Sequence, residues 1–166
     1  MRKKIIFGLI IVSLIIINFS IYKKEQLLKH GEVVFIETVP RDPRSYMQGD
    51  YHILRYRLPT AITSVISKIP RKGFLVLVMN DKKIGTITSV YQPGQKLDGN
   101  QKIIQYRIRS RGIRIGAESF FFQEKHGKYY NRAKYGELRL ATNGHSLLVA
   151  LRDAKLNKMG PPIVNK

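Results

Sequence analysis

Between Ile5 and Tyr22 the chain is apolar almost without a break, interrupted only by Gly8, Ser13, Asn18 and Ser20, and no other feature limits its folds so strongly. A run of about 18 residues is the short end of what crosses a bilayer as a helix. Arg2, Lys3 and Lys4 precede it and Lys23 and Lys24 follow it. With so short a basic tail in front, the simpler arrangement keeps the N-terminus in the cytoplasm and carries the rest of the chain across. Asn18 to Tyr22 offer no small-residue cleavage site, which favours an uncleaved anchor over a removed signal peptide. Lipoprotein acylation is excluded because the sequence holds no cysteine. The expected layout is a single-pass protein of the cell membrane: an anchor over residues 1–24, a linker over 25–31, an extracytoplasmic domain over 32–153 and a flexible tail over 154–166.

The remainder reads as strands. Val33 to Val39 is rich in branched residues and runs into Pro40, while His52, Leu54, Tyr56 and Leu58 alternate with Ile53, Arg55 and Arg57 in the period of a half-buried strand. The two are expected to pair antiparallel, with the loop between them at their end. Phe74–Met79 and Ile84–Tyr91 form a hairpin around Asn80–Lys83. Lys102–Ile115 is the longest β-patterned run, with a bulge expected at Gly112. Asn143-Gly144 joins two apolar strands, a dipeptide favoured by type I′ hairpins. Thr60–Lys68 and Lys128–Lys134 have the length of one or two helical turns. The fold class is therefore mainly β: a small antiparallel barrel or sandwich with one or two short helices, behind one N-terminal transmembrane helix.

Special backbone residues are densest from Pro40 to Tyr56. Pro40 and Pro43 stiffen the approach, Gly49 supplies a turn and Asp50 can accept hydrogen bonds from loop amides. Gly49-Asp50-Tyr51-x-x-Leu54-x-Tyr56, preceded by Pro40, Asp42, Pro43 and Arg44, resembles the signature of the GDYXXLXY family of membrane-anchored bacterial proteins. A second block, Gly116-Ala117-Glu118-Ser119-Phe120-Phe121-Phe122 followed by Glu124, is similar to the family's Y-G-I-E-x-Y-F-x-P-E-G pattern. It departs from that pattern at Ile115, Gln123 and Lys125. The resemblance implies an N-terminal anchor and a small domain outside the cytoplasm, and it implies no established biochemical activity.

Chemistry is thin on the ground. His30, His52, His126 and His145 form no tight ligand set, so neither metal nor cofactor is expected. Two hydrolase alternatives stand: paired carboxylates drawn from Asp42, Asp50, Glu118 and Glu124, or Ser45 with a lysine such as Lys83 or Lys102. Ser45 to Asp50 faintly resembles the serine segment of type I signal peptidases. The simpler role for Asp50 and Glu118 is structural, as partners of Arg44 or Arg55. Charge is the stronger signal. Setting aside the five basic residues of the anchor, 25 Lys and Arg still face 11 Asp and Glu, a net +14 on the remainder of the chain, most of it on the domain. Arg107, Arg109 and Arg111 alternate along one strand with Arg114 nearby, a candidate anion-binding stripe for phosphates of the outer membrane leaflet, an anionic envelope polymer or an acidic partner protein, a membrane protein among the candidates. No nucleic-acid motif accompanies it, so nucleic acid is not an expected partner. The preferred expectation is a non-enzymatic binding or accessory domain of the bacterial envelope, its two motif blocks lying adjacent.

Overall fold

The computed structural model of the chain describes residues 2–41, 51–110, 112–123 and 126–162. Its first element, α1 (Arg2–His30), takes up the whole apolar run and continues through the segment read as a linker. Among the described residues it is the one helix long and apolar enough to cross a membrane, with a mean hydropathy of 2.6 over its most apolar stretch. The large apolar side chains from Ile5 to Tyr22 are exposed, with no sheet packed on them, unlike those of a core helix. Gly31 ends it. The Gly31 amide donates to Leu27 O at 2.8 Å, and a Cβ at Gly31 would press into that same carbonyl and lie 2.8 Å from Leu27 Cδ1. Arg139 reaches across from the sheet and donates to Gly31 O at 3.3 Å, placing a cation at the negative end of the helix.

The rest is mainly β, a curled half-barrel sheet with nine strands among the described residues. They are β1 (Glu32–Arg41), β2 (Tyr51–Tyr56), β3 (Lys72–Met79), β4 (Ile84–Val90), β5 (Gln101–Arg109), β6 (Gly112–Arg114), β7 (Ser119–Phe121), β8 (Tyr135–Leu140) and β9 (Ser146–Arg152), with the short α2 (Thr60–Ser64) between β2 and β3. The main path runs β6-β5-β3-β4-β1-β2-β7, and β8 joins β1 to β9. β1 makes the curl possible. Glu32 to Glu37 pair with β8 on one edge; on the other edge Phe35 and Ile36 meet β4, and Thr38 to Arg41 then pair with β2. One long strand thus hands a neighbour position from β4 to β2, and the sheet bends at the exchange. The β1–β4 pairing is parallel, whereas every other ladder between these strands is antiparallel.

Val34, Ile36 and Thr38 are buried in alternation on β1, and Val34 and Ile36 join Leu75, Leu77, Ile87, Ile104, Tyr106 and Leu138 in the main core. A smaller core of Leu54, Tyr130, Ala133 and Leu151 lies beneath Phe120 and Phe122. Both phenylalanines pack on Tyr130, Phe120 edge-on at 5.2 Å and Phe122 tilted at 5.1 Å between ring centroids, while Phe121 between them is 68% exposed, as strand alternation requires.

Four local expectations change. The long run from Lys102 does not bulge at Gly112 but reverses: Ser110 takes φ 45°, and β6 returns along β5 with Arg114 opposite Arg107. The Asn143-Gly144 hairpin is not type I′, because only Gly144 has positive φ. Gly144 N bonds Ala141 O and Ala141 N bonds His145 O, a type I turn closed by a glycine bulge. The Lys128–Lys134 helix is instead a single 3₁₀ turn at Gly127–Tyr130. Beyond β9, in the stretch read as a tail, the chain folds back: Asp153 accepts from Lys155 N and Asn157 N, and Met159 N reaches Leu151 O.

Candidate functional site

The described parts of the two motif blocks meet. β2 pairs with β7, setting Tyr51 opposite Phe121, His52 opposite Phe120 and Ile53 opposite Ser119. Past the ladder, Leu54 N donates to Glu118 O at 2.7 Å and the Tyr56 hydroxyl donates to Ala117 O. The Glu118 carboxylate turns back on its own loop, accepting from Ile115 N and, at 3.0 Å, from Gly116 N. Gly116 sits at φ 82°, a conformation costly for any side chain, so the tight turn explains the glycine. Ser146 adds a bond from β9 to Ile115 O at 3.1 Å. Leu54 and Tyr56 from one block and Gly116 and Glu118 from the other are thus a single clamped corner. Burial, and then the nearby Glu118 charge, push the Tyr56 hydroxyl far above its ordinary pKa, so it acts there only as a hydrogen-bond donor.

Behind this corner lies a cavity of about 500 Å³. Arg107 and Arg109 of β5, Ser110 and Arg114 after it, Ile115, Gly116 and Glu118 of the corner, His145 of the β8–β9 turn and Ser146 of β9 line it. The reversal at Ser110 is what concentrates the charge, because it folds Arg114 back beside Arg107 and so gathers a stripe into a cluster. Among the described residues none of Arg107, Arg109 and Arg114 has an ion-pair partner. A volume of this size suits a small ligand or a group projecting from a larger one.

The remaining candidates fall in different places. Asp42, Pro43, Arg44, Ser45, Gly49, Asp50, Arg111 and Glu124 lie outside the described residues, and Pro40 ladders to Leu54 across β1 and β2. Glu118, expected as a partner of Arg44 or Arg55, accepts from the Ile115 and Gly116 amides. Lys102, one lysine weighed as a base, is tied to Glu32 at 3.0 Å, and Lys83 sits at φ 59° in the β3–β4 turn. Among the described residues no three His, Asp or Glu cluster as metal ligands would. Sequence reasoning missed the contributions of His145 and Ser146, which the β8–β9 turn brings to the cavity from far along the chain. It also missed the buried pair between Glu137 and Arg152, whose Nη2 and Nε lie 2.6 and 2.7 Å from Glu137 Oε2.

Comparison with known proteins gives one match: the family model described as GDYXXLXY protein covers residues 13–151. No curated protein and no solved structure matches.

Proposed function

We propose a function from one premise: the chain belongs to the GDYXXLXY family. In this reading the protein is a membrane-tethered binding domain, held by α1 with its N-terminus in the cytoplasm and the β domain on the far side. It recognises a negatively charged group on a membrane or envelope partner through the arginine-lined cavity behind the motif corner.

The observation that carries the reading is how the motif's polar groups are committed. Tyr56 and Glu118 make internal bonds that build the corner, while the neighbouring Arg107, Arg109 and Arg114 remain unpaired among the described residues and face one cavity. Residues positioned this way serve as frame, and the guanidinium cluster beside them suits carboxylate or phosphate. The net +14 of the chain beyond the anchor would add long-range attraction to an anionic partner, screened by salt. A hydrolase using Glu118 is the weaker reading, because its carboxylate already accepts from two amides.

The test is capture of the full-length protein's partner from detergent-solubilised membranes, using wild type, an Arg107→Gln/Arg109→Gln/Arg114→Gln variant and Glu118→Gln. Gln keeps an oxygen for the two amides, so the corner should persist. Loss of one stoichiometric partner in the arginine variant but not in Glu118→Gln is expected. Equal capture by all three overturns the binding reading, and an envelope change confined to Glu118→Gln would put chemistry in its place.

A further inference from the structure

We propose that the cavity between the last turns of α1 and the β5/β8 end of the sheet seats the phosphate headgroup of an anionic lipid. This rests on α1 spanning the membrane. The cavity measures about 520 Å³ and is separate from the motif corner, with the β8–β9 turn between them: Ala141 and Thr142 line this one, His145 and Ser146 the other. Lys23 and His30 enter it from α1, two turns apart on one helix face, and Lys102 enters from β5. Glu32 is the one acid in the lining and is bound to Lys102 at 3.0 Å. Leu27 and Leu140 supply apolar wall.

Depth selects the ligand. The apolar run ends at Tyr22, and Lys23 to His30 rise only about 12 Å further at 1.5 Å per residue. That interval begins in the headgroup layer, roughly 5–8 Å thick on each side of the hydrocarbon. Lys23 also lies 4.6 Å above the Phe19 ring, an aromatic and a cation stacked where core gives way to headgroups. A cavity that opens at this depth, with ammonium groups beside an apolar wall, fits a phosphate attached to a lipid glycerol better than a free ion. The Glu32 carboxylate offsets one ammonium, so it weakens the site as well as ordering Lys102.

The test uses the delipidated full-length chain in neutral detergent, titrated with short-chain phosphatidylglycerol, phosphatidylcholine or inorganic phosphate and read by native mass spectrometry. One phosphatidylglycerol per chain, preferred over phosphatidylcholine and not displaced by millimolar phosphate, is expected. Lys23→Gln and Lys102→Gln should each weaken it about fivefold. Glu32→Gln should tighten it, a change of opposite sign that loss of structure would not produce. Lys72→Gln removes the same single charge from the exposed far end of β3 and should leave the single bound lipid in place. Equal loss in that control, or displacement by free phosphate, overturns the proposal. A chain that remains soluble without detergent overturns the membrane reading beneath it, which is a separate result.

Discussion

Tyr56 shows how a motif residue can matter without touching a ligand. Its hydroxyl is buried and donates to Ala117 O, so removing it strands a carbonyl that water does not easily reach. Tyr56→Phe should therefore cost about 1–3 kcal/mol in denaturant melts of the full chain in detergent. Its pKa gives a second readout. The folded value is raised above the ordinary 10.0, so unfolding releases a proton only at alkaline pH. Stability from this group is intact below pH 10 and declines as pH rises beyond it, at up to about 1.4 kcal/mol per unit. The phenylalanine variant should lack that slope, so the two proteins converge above pH 10. Glu118 divides differently: Glu118→Ala strands two amides and should cost about 2 kcal/mol or more, whereas Glu118→Gln should lose well under half of that in the same melts. Sequence placed both residues in a motif and assigned Glu118 a structural role. It could not name the partners, because Ala117 and Ile115 contribute backbone atoms that leave no mark in residue type.

At the scale of elements, legibility followed contact range. The β1–β2 and β3–β4 pairs and the alternation of Phe120, Phe121 and Phe122 were readable because each depends on neighbours in sequence and on the period of a strand. The β5–β6 reversal was not, since Arg107 to Arg111 alternates as one strand would, and the reversal shows in the φ of 45° at Ser110, which residue type does not announce. Nor was the parallel β1–β4 pairing, which is set by which edge of β1 is left open. Glu137 and Arg152 pair diagonally across β8 and β9, where Tyr135 is opposite Arg152 and Ala150 opposite Glu137, and sequence does not show which side chains reach each other. Glu137 is only 6% exposed, so Arg152→Ala leaves an unpaired buried carboxylate and should destabilise the chain by about 3–5 kcal/mol. Adding Glu137→Leu to an Arg152→Met background should restore most of that loss, which thermal melts would register as recovery. Arg152 also donates to Leu156 O, coupling the pair to the folded-back segment. There Asp153 is held below its ordinary 3.8 chiefly by the Asn157 side chain. Its contribution is present above pH 3.8 and is lost as pH falls through the lowered value, so amide exchange at Lys155 and Asn157 should rise selectively in acid.

For the molecule as a whole, the decisive question is whether the sheet is fixed to the anchor or swings from it. Two contacts at one joint favour a fixed attachment: Arg139 to Gly31 O and Gly31 N to Leu27 O. Gly31 is the residue they depend on, because a Cβ there would collide with Leu27 O and come within 3.0 Å of Arg139 Cβ. Gly31→Ala must move the helix end or the sheet, and either motion pulls Arg139 from the carbonyl it caps. The fold of the sheet itself need not suffer, since its two cores lie elsewhere. The absence of cysteine makes this measurable, as Lys24→Cys and Lys72→Cys would be the only thiols for spin labels. In bilayer discs the parent should give one narrow distance distribution between those labels, and Gly31→Ala a shifted or broadened one at unchanged circular dichroism. A broad distribution already in the parent would mean a swinging domain, with neither cavity held at a constant height above the lipid.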